Sequence, residues 1–417
     1  MAEKRPLTGF KPSQERLWHD INDLSEFRDK DAPGWTRQVF TDPFRRSRQW
    51  LAATMSAAGL DAEVDAACNV VGVLPGTDPS LPALVTGSHT DTVRGGGRFD
   101  GIIGVLGAIE AVRLLQEAGI RLRHSLRVVD FAGEEANDFG ISCVGSRALS
   151  GNLSAEHLEL KDPTGRTLAD ALRDAGGDPA TAIQLAWKPE EVARFVELHI
   201  EQGPVLEASG TAIGVVTGIA GIHRMTAVFN GRGDHAGTTP MHMRRDAACA
   251  AAEAILAVED TVSGDQVATT GRITVEPGAS NVVPARAEML SEFRSPDAEW
   301  LRANRAVVND KLRAIAERRG MEVDIEWLMG EEPVVCAPEL VETIEQVVGD
   351  LGLSQRRMPS GAGHDAVMMA ELAPVGMIFV PSRDGRSHVE EEWTDVEDIA
   401  TGVRVLAETL VRLDSTL

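Results

Sequence analysis

The sequence predicts an α/β fold: a mixed, largely parallel sheet flanked by helices, with a smaller α+β domain inserted into it. Three observations lead there. Apolar runs of strand length alternate with segments of helical spacing between residues 12 and 200 and again after residue 331. Between residues 212 and 330 the pattern changes to strand, helix, two strands, helix and strand, a set that can bury a core of its own. The 417 residues also exceed the length at which a single core usually stops growing, about 250–300 residues. The expected division is a discontinuous domain of residues 1–211 and 331–417 and an inserted domain of residues 212–330.

Residues 12–28 and 42–59 carry helical spacing, and Thr41-Asp42-Pro43 is a start signal for the second, a capping side chain with a proline suited to the first turn. Val64–Leu74 and Leu81–Ser88 read as strands separated by the turn-rich Pro75-Gly76-Thr77-Asp78-Pro79. A helix from about Gly101 to Ala118 leads to the strand Ser125–Phe131, which runs out into Ala132-Gly133-Glu134-Glu135. Residues 150–192 read as surface loops and short helices. Arg194–Leu198 is a further short apolar run, followed at once by His199-Ile200-Glu201-Gln202-Gly203. In the inserted region, strands are expected at 222–229, 267–275, 283–293 and 321–328 and helices at 242–260 and 297–318, the two middle strands pairing antiparallel. The first domain resumes with a helix at 337–352 and the buried strand Val375–Val380, which exits towards Ser387-His388.

Composition narrows the class. With 43 % hydrophobic and 25 % charged residues the chain is an ordinary globular protein. A formal charge of −23 argues against a nucleic acid or an anionic membrane surface as partner, because like charges repel. Cys68, Cys143, Cys249 and Cys336 are far apart and form no Cys-x-x-Cys pair, which argues against a zinc knuckle or a disulfide framework. There is no apolar core of signal-peptide length near residue 1 and no uninterrupted run of eighteen apolar residues, so a soluble cytoplasmic protein is expected.

The chemistry gathers at strand exits. The stretch Gly87 to Gly101, GSHTDTVRGGGRFDG, lies where a buried strand hands over to a buried helix and holds His89, Asp91 and Asp100. His89, Asp100, Glu135, His199 and His388 all stand at or just after the carboxyl end of an apolar run, or in the turn it opens into. In a largely parallel sheet those ends share one edge, so residues far apart in sequence can meet. Three imidazoles and two carboxylates suit two divalent ions of the zinc type with one carboxylate bridging, and such a pair activates water and polarises a carbonyl. Glu134, next to a candidate ligand, is the natural general base. Asp91 is placed to orient the His89 imidazole. Singly, each residue has a plainer reading: Glu134 and Glu135 as a solvated acidic pair, Asp91 as a turn cap, His199 and His388 as structural histidines. The joint pattern outweighs them.

The motifs TGSHTDTV, GGxFDGxxGV, GEE, ELHIEQGP, GDHAGTTPM, GASNVVPA, EFRS, SGAGHD and a late SHxxxE occur in that order. From about residue 40 to 412 the chain resembles the hydantoinase/carbamoylase branch of the dinuclear zinc metallopeptidase and aminoacylase superfamily. The resemblance implies that His89 and His199 bind one metal, Glu135 and His388 the other, that Asp100 bridges them and that Glu134 is the base. It implies that the inserted segment is a lid and dimerisation domain, that His235 stabilises the oxyanion in the partner subunit's site, and that Asn281 and Arg294 hold a substrate carboxylate. Gln202 and His364 match positions near the substrate. Without the motif, Arg294 would read as a surface ion-pair partner and His235 as a turn residue.

The implied activity is hydrolysis of the carbamoyl group of an N-carbamoyl-L-amino acid or related ureido acid, by a cytoplasmic homodimer with two divalent ions per subunit. Zinc comes first, and manganese, cobalt or nickel can share such ligands. Allantoate or ureidoglycolate amidohydrolysis is the alternative, since FGISCVGSR (139–147) also resembles plant ureidoglycolate enzymes. An N-acyl-amino acid hydrolase or peptidase stands further off, because such relatives more often have a carboxylate at the position of His199. A catalytically silent relative would have lost Glu134 or a ligand, and a purely structural protein gives no reason for this constellation. Ala136-Asn137-Asp138-Phe139 and Gly221-Ile222-His223-Arg224 depart from the usual pattern, which bears on the substrate more than on the reaction.

Overall fold

A computed structural model of the protein describes residues 7–328 and 330–417. The chain divides into two compact units, one of Met1–Thr217, Cys336–Met358 and His364–Leu417, the other of Gly218–Val335 and Pro359–Gly363.

In chain order, the first unit opens with α1 (Gln14–Ser25), α2 (Asp42–Ala57), β1 (Asp61–Val64), β2 (Val70–Leu74), β3 (Ala83–His89), α3 (Ile102–Glu117) and β4 (Leu126–Phe131). Four short helices follow, α4 (Val144–Ser150), α5 (Ala155–Leu158), α6 (Leu168–Asp174) and α7 (Pro179–Ala182), then β5 (Val192–Ile200), α8 (Val205–Ser209) and β6 (Ile213–Ile219). The second unit comprises β7 (Gly221–Asn230), α9 (Ala247–Glu259), β8 (Val267–Glu276), β9 (Arg286–Ser295), α10 (Ala298–Arg318), β10 (Glu322–Trp327) and β11 (Val334–Val335). The first then resumes with α11 (Pro338–Asp350), β12 (Gln355–Ser360), α12 (Ala366–Met369), β13 (Val375–Val380) and α13 (Val396–Thr416).

Most expected elements form, and their ends carry the caps that the sequence advertises. Thr41 caps α2 with Pro43 in the first turn, and the Asp246 and Asp297 carboxylates accept the free amides at the starts of α9 and α10. One expected strand is divided. Val64–Leu74 forms the hairpin β1–β2, because the Asp65 carboxylate accepts the amides of Ala67 and Asn69, each at 2.9 Å, and Cys68 takes a positive φ of 67°. β6, β12 and α13 fall outside the elements expected from the sequence.

The order β1-β2-β4-β3-β5-β13-β6, with β12 also paired to β6, makes the sheet of the first unit. Its centre is parallel: β3 pairs with β4 and β5, and β5 with β13, all in the same direction, whereas β2 and β6 flank them antiparallel. Every residue of β3 and β13 is buried, as in a sheet covered on both faces. α3 packs on β3 and β5 and against α13, and all but three of its residues are buried. Gly104 permits that approach: a Cβ there would run into the carbonyl of Leu198 and the side chain of Ser88. The second unit is built differently, as an antiparallel sheet in the order β10-β7-β9-β8 with α9 and α10 packed on it. No described helix is long and apolar enough to cross a membrane.

Candidate metal centre

Four parallel strands, adjacent in the order β4-β3-β5-β13, end on one edge, and each delivers part of a single cluster. His89 is the last residue of β3, and Asp100 stands in the turn from β3 to α3. Glu134 and Glu135 follow β4, His199 is the penultimate residue of β5, and His388 stands in the loop after β13. The turn bearing Asp100 is tight because Gly101, at φ 67°, has no room for a side chain against the His89 ring.

Asp100 is the centre of the cluster. Its Oδ1 lies 3.3 Å from His199 Nε2 and 3.9 Å from His89 Nε2, and its Oδ2 lies 3.2 Å from His388 Nε2, which is itself 3.3 Å from Glu135 Oε1. Two sets of ligand-type atoms thus share one carboxylate: His89, Asp100 and His199, and Asp100, Glu135 and His388. Glu134 Oε2 reaches to 3.6 Å from His89 Nε2.

The tautomers suit cation binding. His89 Nδ1 meets the carbonyl oxygen of Asp91 at 3.0 Å and His199 Nδ1 that of Ile200 at 2.9 Å, so each Nδ1 carries the hydrogen and each Nε2 turns a lone pair into the cluster. His199 Nε2 is buried without a hydrogen-bond partner. Charge points the same way. Burial, with the repulsion of Glu135 and Asp365, raises Glu134 well above the usual carboxylate range; burial and Asp100 do the same to Glu135. Burial lowers His199 to about 4, whereas the hydrogen bond that His388 donates to Asp100 raises His388 to about 9. For Asp100, burial works upwards but is outweighed by the His388 hydrogen bond and the neighbouring imidazoles, which hold it well below its ordinary value. So many buried carboxylates are mutually repulsive, and a divalent cation is the counter-charge that relieves them. The residues present fit such an ion.

The supports lie one layer out. It is the backbone carbonyl of Asp91, not its carboxylate, that meets the His89 ring. The carboxylate accepts the amides of Gly133, Glu134 and Glu135 at 3.0, 3.3 and 3.2 Å, and so ties the two turns together. Beneath them Arg48 and Asp130 form a buried ion pair at 2.5 Å; burial lifts Asp130 to about 6 despite Arg48. Thr90 donates to Asp130 at 3.0 Å, and its carbonyl accepts Arg37 Nε at 2.7 Å. Gln202, held at φ 58°, donates to Asp100 Oδ2 at 2.7 Å. The His364 ring stacks edge-on to His199, with centroids 4.5 Å apart, and burial keeps it well below the usual imidazole range.

In the second unit the singled-out residues are more open. His235 and Asn281 are exposed and adjacent, joined by a bridge between His235 and Val282 and by the Ala236 amide donating to the Asn281 carbonyl at 2.9 Å. Arg294 is half-buried near the end of β9; its Nε donates to Glu292 at 2.7 Å and its Nη1 to the carbonyl of Gly361 at 2.8 Å. Arg224 grips the other Glu292 oxygen at 2.7 Å.

Sequence reasoning assigned nothing to Ser387, Glu392 or the buried Glu197 and Asp365. Glu197 accepts from Ser88 and Asp365 from Ser146, at 2.7 and 2.6 Å. The signal for Glu392 was present, as the last letter of SHxxxE.

Clusters of ligand-type residues that could hold metal ions, gathered at the carboxyl edge of a parallel sheet with a further carboxylate alongside, fit a metal-dependent hydrolase. Residues 85–412 match the peptidase family M20/M25/M40, to which the chain belongs. It is 40 % identical over 401 residues to the N-carbamoyl-L-amino acid amidohydrolase of Geobacillus stearothermophilus, covering 96 % of this chain and 98 % of that one. It is 38 % identical over 412 residues to the ureidoglycolate hydrolase of Arabidopsis thaliana, covering 95 % and 86 %. Among solved structures, an amidase of the hydantoinase/carbamoylase family from Burkholderia multivorans is similar with a TM-score of 0.90 and 34 % identity, over 97 % and 98 % of the two chains. The chain is a hydrolase acting on C–N bonds, and the resemblance to the hydantoinase/carbamoylase branch holds across both units.

Proposed function

We propose that the protein hydrolyses the carbamoyl C–N bond of an N-carbamoyl-L-amino acid or a related ureido acid, with two divalent ions per subunit. The observation that carries this reading is the sharing of Asp100 by two ligand sets. His89 and His199 would hold one ion, Glu135 and His388 the other, and Asp100 both. Zinc suits the mixed imidazole and carboxylate donors, and manganese, cobalt or nickel can be held by the same atoms. Bound there, such ions lower the pKa of water and polarise the ureido carbonyl.

Glu134 takes the proton of the attacking water and passes it to the leaving nitrogen. Burial raises the proton affinity of its carboxylate, so that, once ionised, it takes the proton readily and can then hand it on. His235 donates to the oxygen that gains charge as the carbonyl carbon becomes tetrahedral. Asn281 and Arg294 hold the substrate carboxylate, Arg294 with its fork fixed by Glu292. Gln202 and His364 complete the contacts around the ureido group. The amine, ammonia and carbon dioxide leave.

The second unit acts as lid and dimerisation domain in a homodimer. β8 is the edge strand of its sheet and leaves Val267 and Ile273 exposed at 51 % and 45 %, so a second copy can pair there. The free cysteines accord with a reducing cytoplasm.

Allantoate or ureidoglycolate is the second reading, favoured by the similarity to the Arabidopsis enzyme. A substrate panel separates the two: N-carbamoyl-amino acids, allantoate, ureidoglycolate, N-acetyl-amino acids and dipeptides, each offered to apoprotein reconstituted with zinc, manganese, cobalt or nickel. The highest kcat/KM is expected on an N-carbamoyl-L-amino acid. Hydrolysis of the N-acetyl compounds or dipeptides alone would overturn the ureido assignment.

A further inference from the structure

Glu392 touches no ligand-type side chain, yet it holds both pieces of chain on which the second ligand set depends. Its Oε1 accepts the backbone amides of Phe99 at 2.9 Å and Asp100 at 3.0 Å. Its Oε2 accepts the hydroxyl of Ser387 at 2.7 Å, and Ser387 is the residue before His388. That hydroxyl also lies 3.0 Å from Asp100 Oδ2. One buried carboxylate therefore clamps the glycine-rich turn after β3 to the loop after β13. Glu392 in turn presses on Gly97, where an added Cβ would collide with its side chain, which gives the last glycine of the run a packing reason.

We propose that Glu392 is a positioning residue that fixes the Asp100 carboxylate and the His388 loop for the ion held by Asp100, Glu135 and His388; this rests on the two-ion reading above. A hydroxyl has one hydrogen. While Glu392 takes it, Asp100 Oδ2 is spared a second donor beside Gln202 Nε2 and keeps a lone pair for a cation. In Glu392→Gln the amide nitrogen donates to Ser387, and the Ser387 hydrogen turns to Asp100 Oδ2, competing with the ion. Glu392→Ala removes the clamp altogether.

The test is a titration of chelator-treated protein with cobalt(II), followed by calorimetry and by the visible spectrum of the bound ion. Wild type is expected to bind two ions. Glu392→Gln and Glu392→Ala are expected to weaken one of the two by about 10–100-fold, in line with losses of groups that orient metal ligands, with the other unchanged. Glu392→Gln keeps the shape and the two amide contacts, so it tests the idea should the alanine variant fold poorly, and Glu392→Asp is expected to restore part of the loss. Two ions bound by Glu392→Gln with wild-type affinities and spectrum would overturn the role of Glu392 alone. A wild-type protein that binds no ion would overturn the two-ion reading and this inference with it.

Discussion

The two units solve the problem of burying a sheet in opposite ways, and their candidate residues follow suit. In the first, strands such as β13 are buried along their whole length, and the chemistry sits at their ends, where His89, Asp100 and His199 are 2, 5 and 1 % exposed. In the second, β9 alternates between buried and half-buried residues, one face on the core and one open, and His235 and Asn281 are exposed. A parallel sheet covered on both faces has only its edge to offer for function, so most of its reactive groups, the exposed His388 apart, are dry, prearranged and electrostatically strong. An antiparallel sheet with a free face offers surface, and residues on it act through what they meet.

The largest effect should come from the dry site. Glu134→Gln is expected to cut turnover by about 10²–10⁴-fold while both ions still bind, measured as kcat beside metal content; a near-normal rate would remove Glu134 as the base. Next is the ion pair beneath that site. Asp130→Ala leaves Arg48 buried without its partner and should cost about 3–5 kcal/mol in a denaturant titration, whereas no such cost is expected for a charge removed from the open face of the second unit.

Two smaller changes probe the other side of the contrast. Arg294→Ala should raise KM for a ureido acid by about 10–100-fold, the worth of a charge-assisted hydrogen bond, with folding little affected. An unchanged KM would argue that Arg294 serves only its pair with Glu292. The double change Val267→Lys with Ile273→Lys on β8 should shift a dimer to monomer in sedimentation, with stability altered by no more than about 0.5 kcal/mol per exposed position. A dimer that persists would place the interface elsewhere.

How much could be read from the sequence follows from whether a residue's partners are local. The cluster was legible because each member follows an apolar run, and a parallel sheet sends such endings to one edge. The split of β1 from β2 was not, since it depends on the Asp65 side chain bonding to backbone amides rather than on periodicity. α13 is missing from the expected elements, although Ile399, Val403, Leu406, Leu410 and Leu413 recur at helical spacing. Glu392 could not be understood from neighbours in sequence, because the amides that it holds belong to Phe99 and Asp100, which only folding brings beside it. The same holds for Asp91: its position was evident, but which of its oxygens faces His89 was not.

The order in which the cluster's members occur along the chain sets an order of assembly. His89, Asp100, Glu135 and His199 all precede the inserted unit, whereas His388, the β13 strand paired with β5 and the Glu392 carboxylate that holds the Asp100 turn are translated only after it. The site therefore cannot be completed until the chain beyond the insert has been made, and a chain ending within the insert is expected to lack turnover.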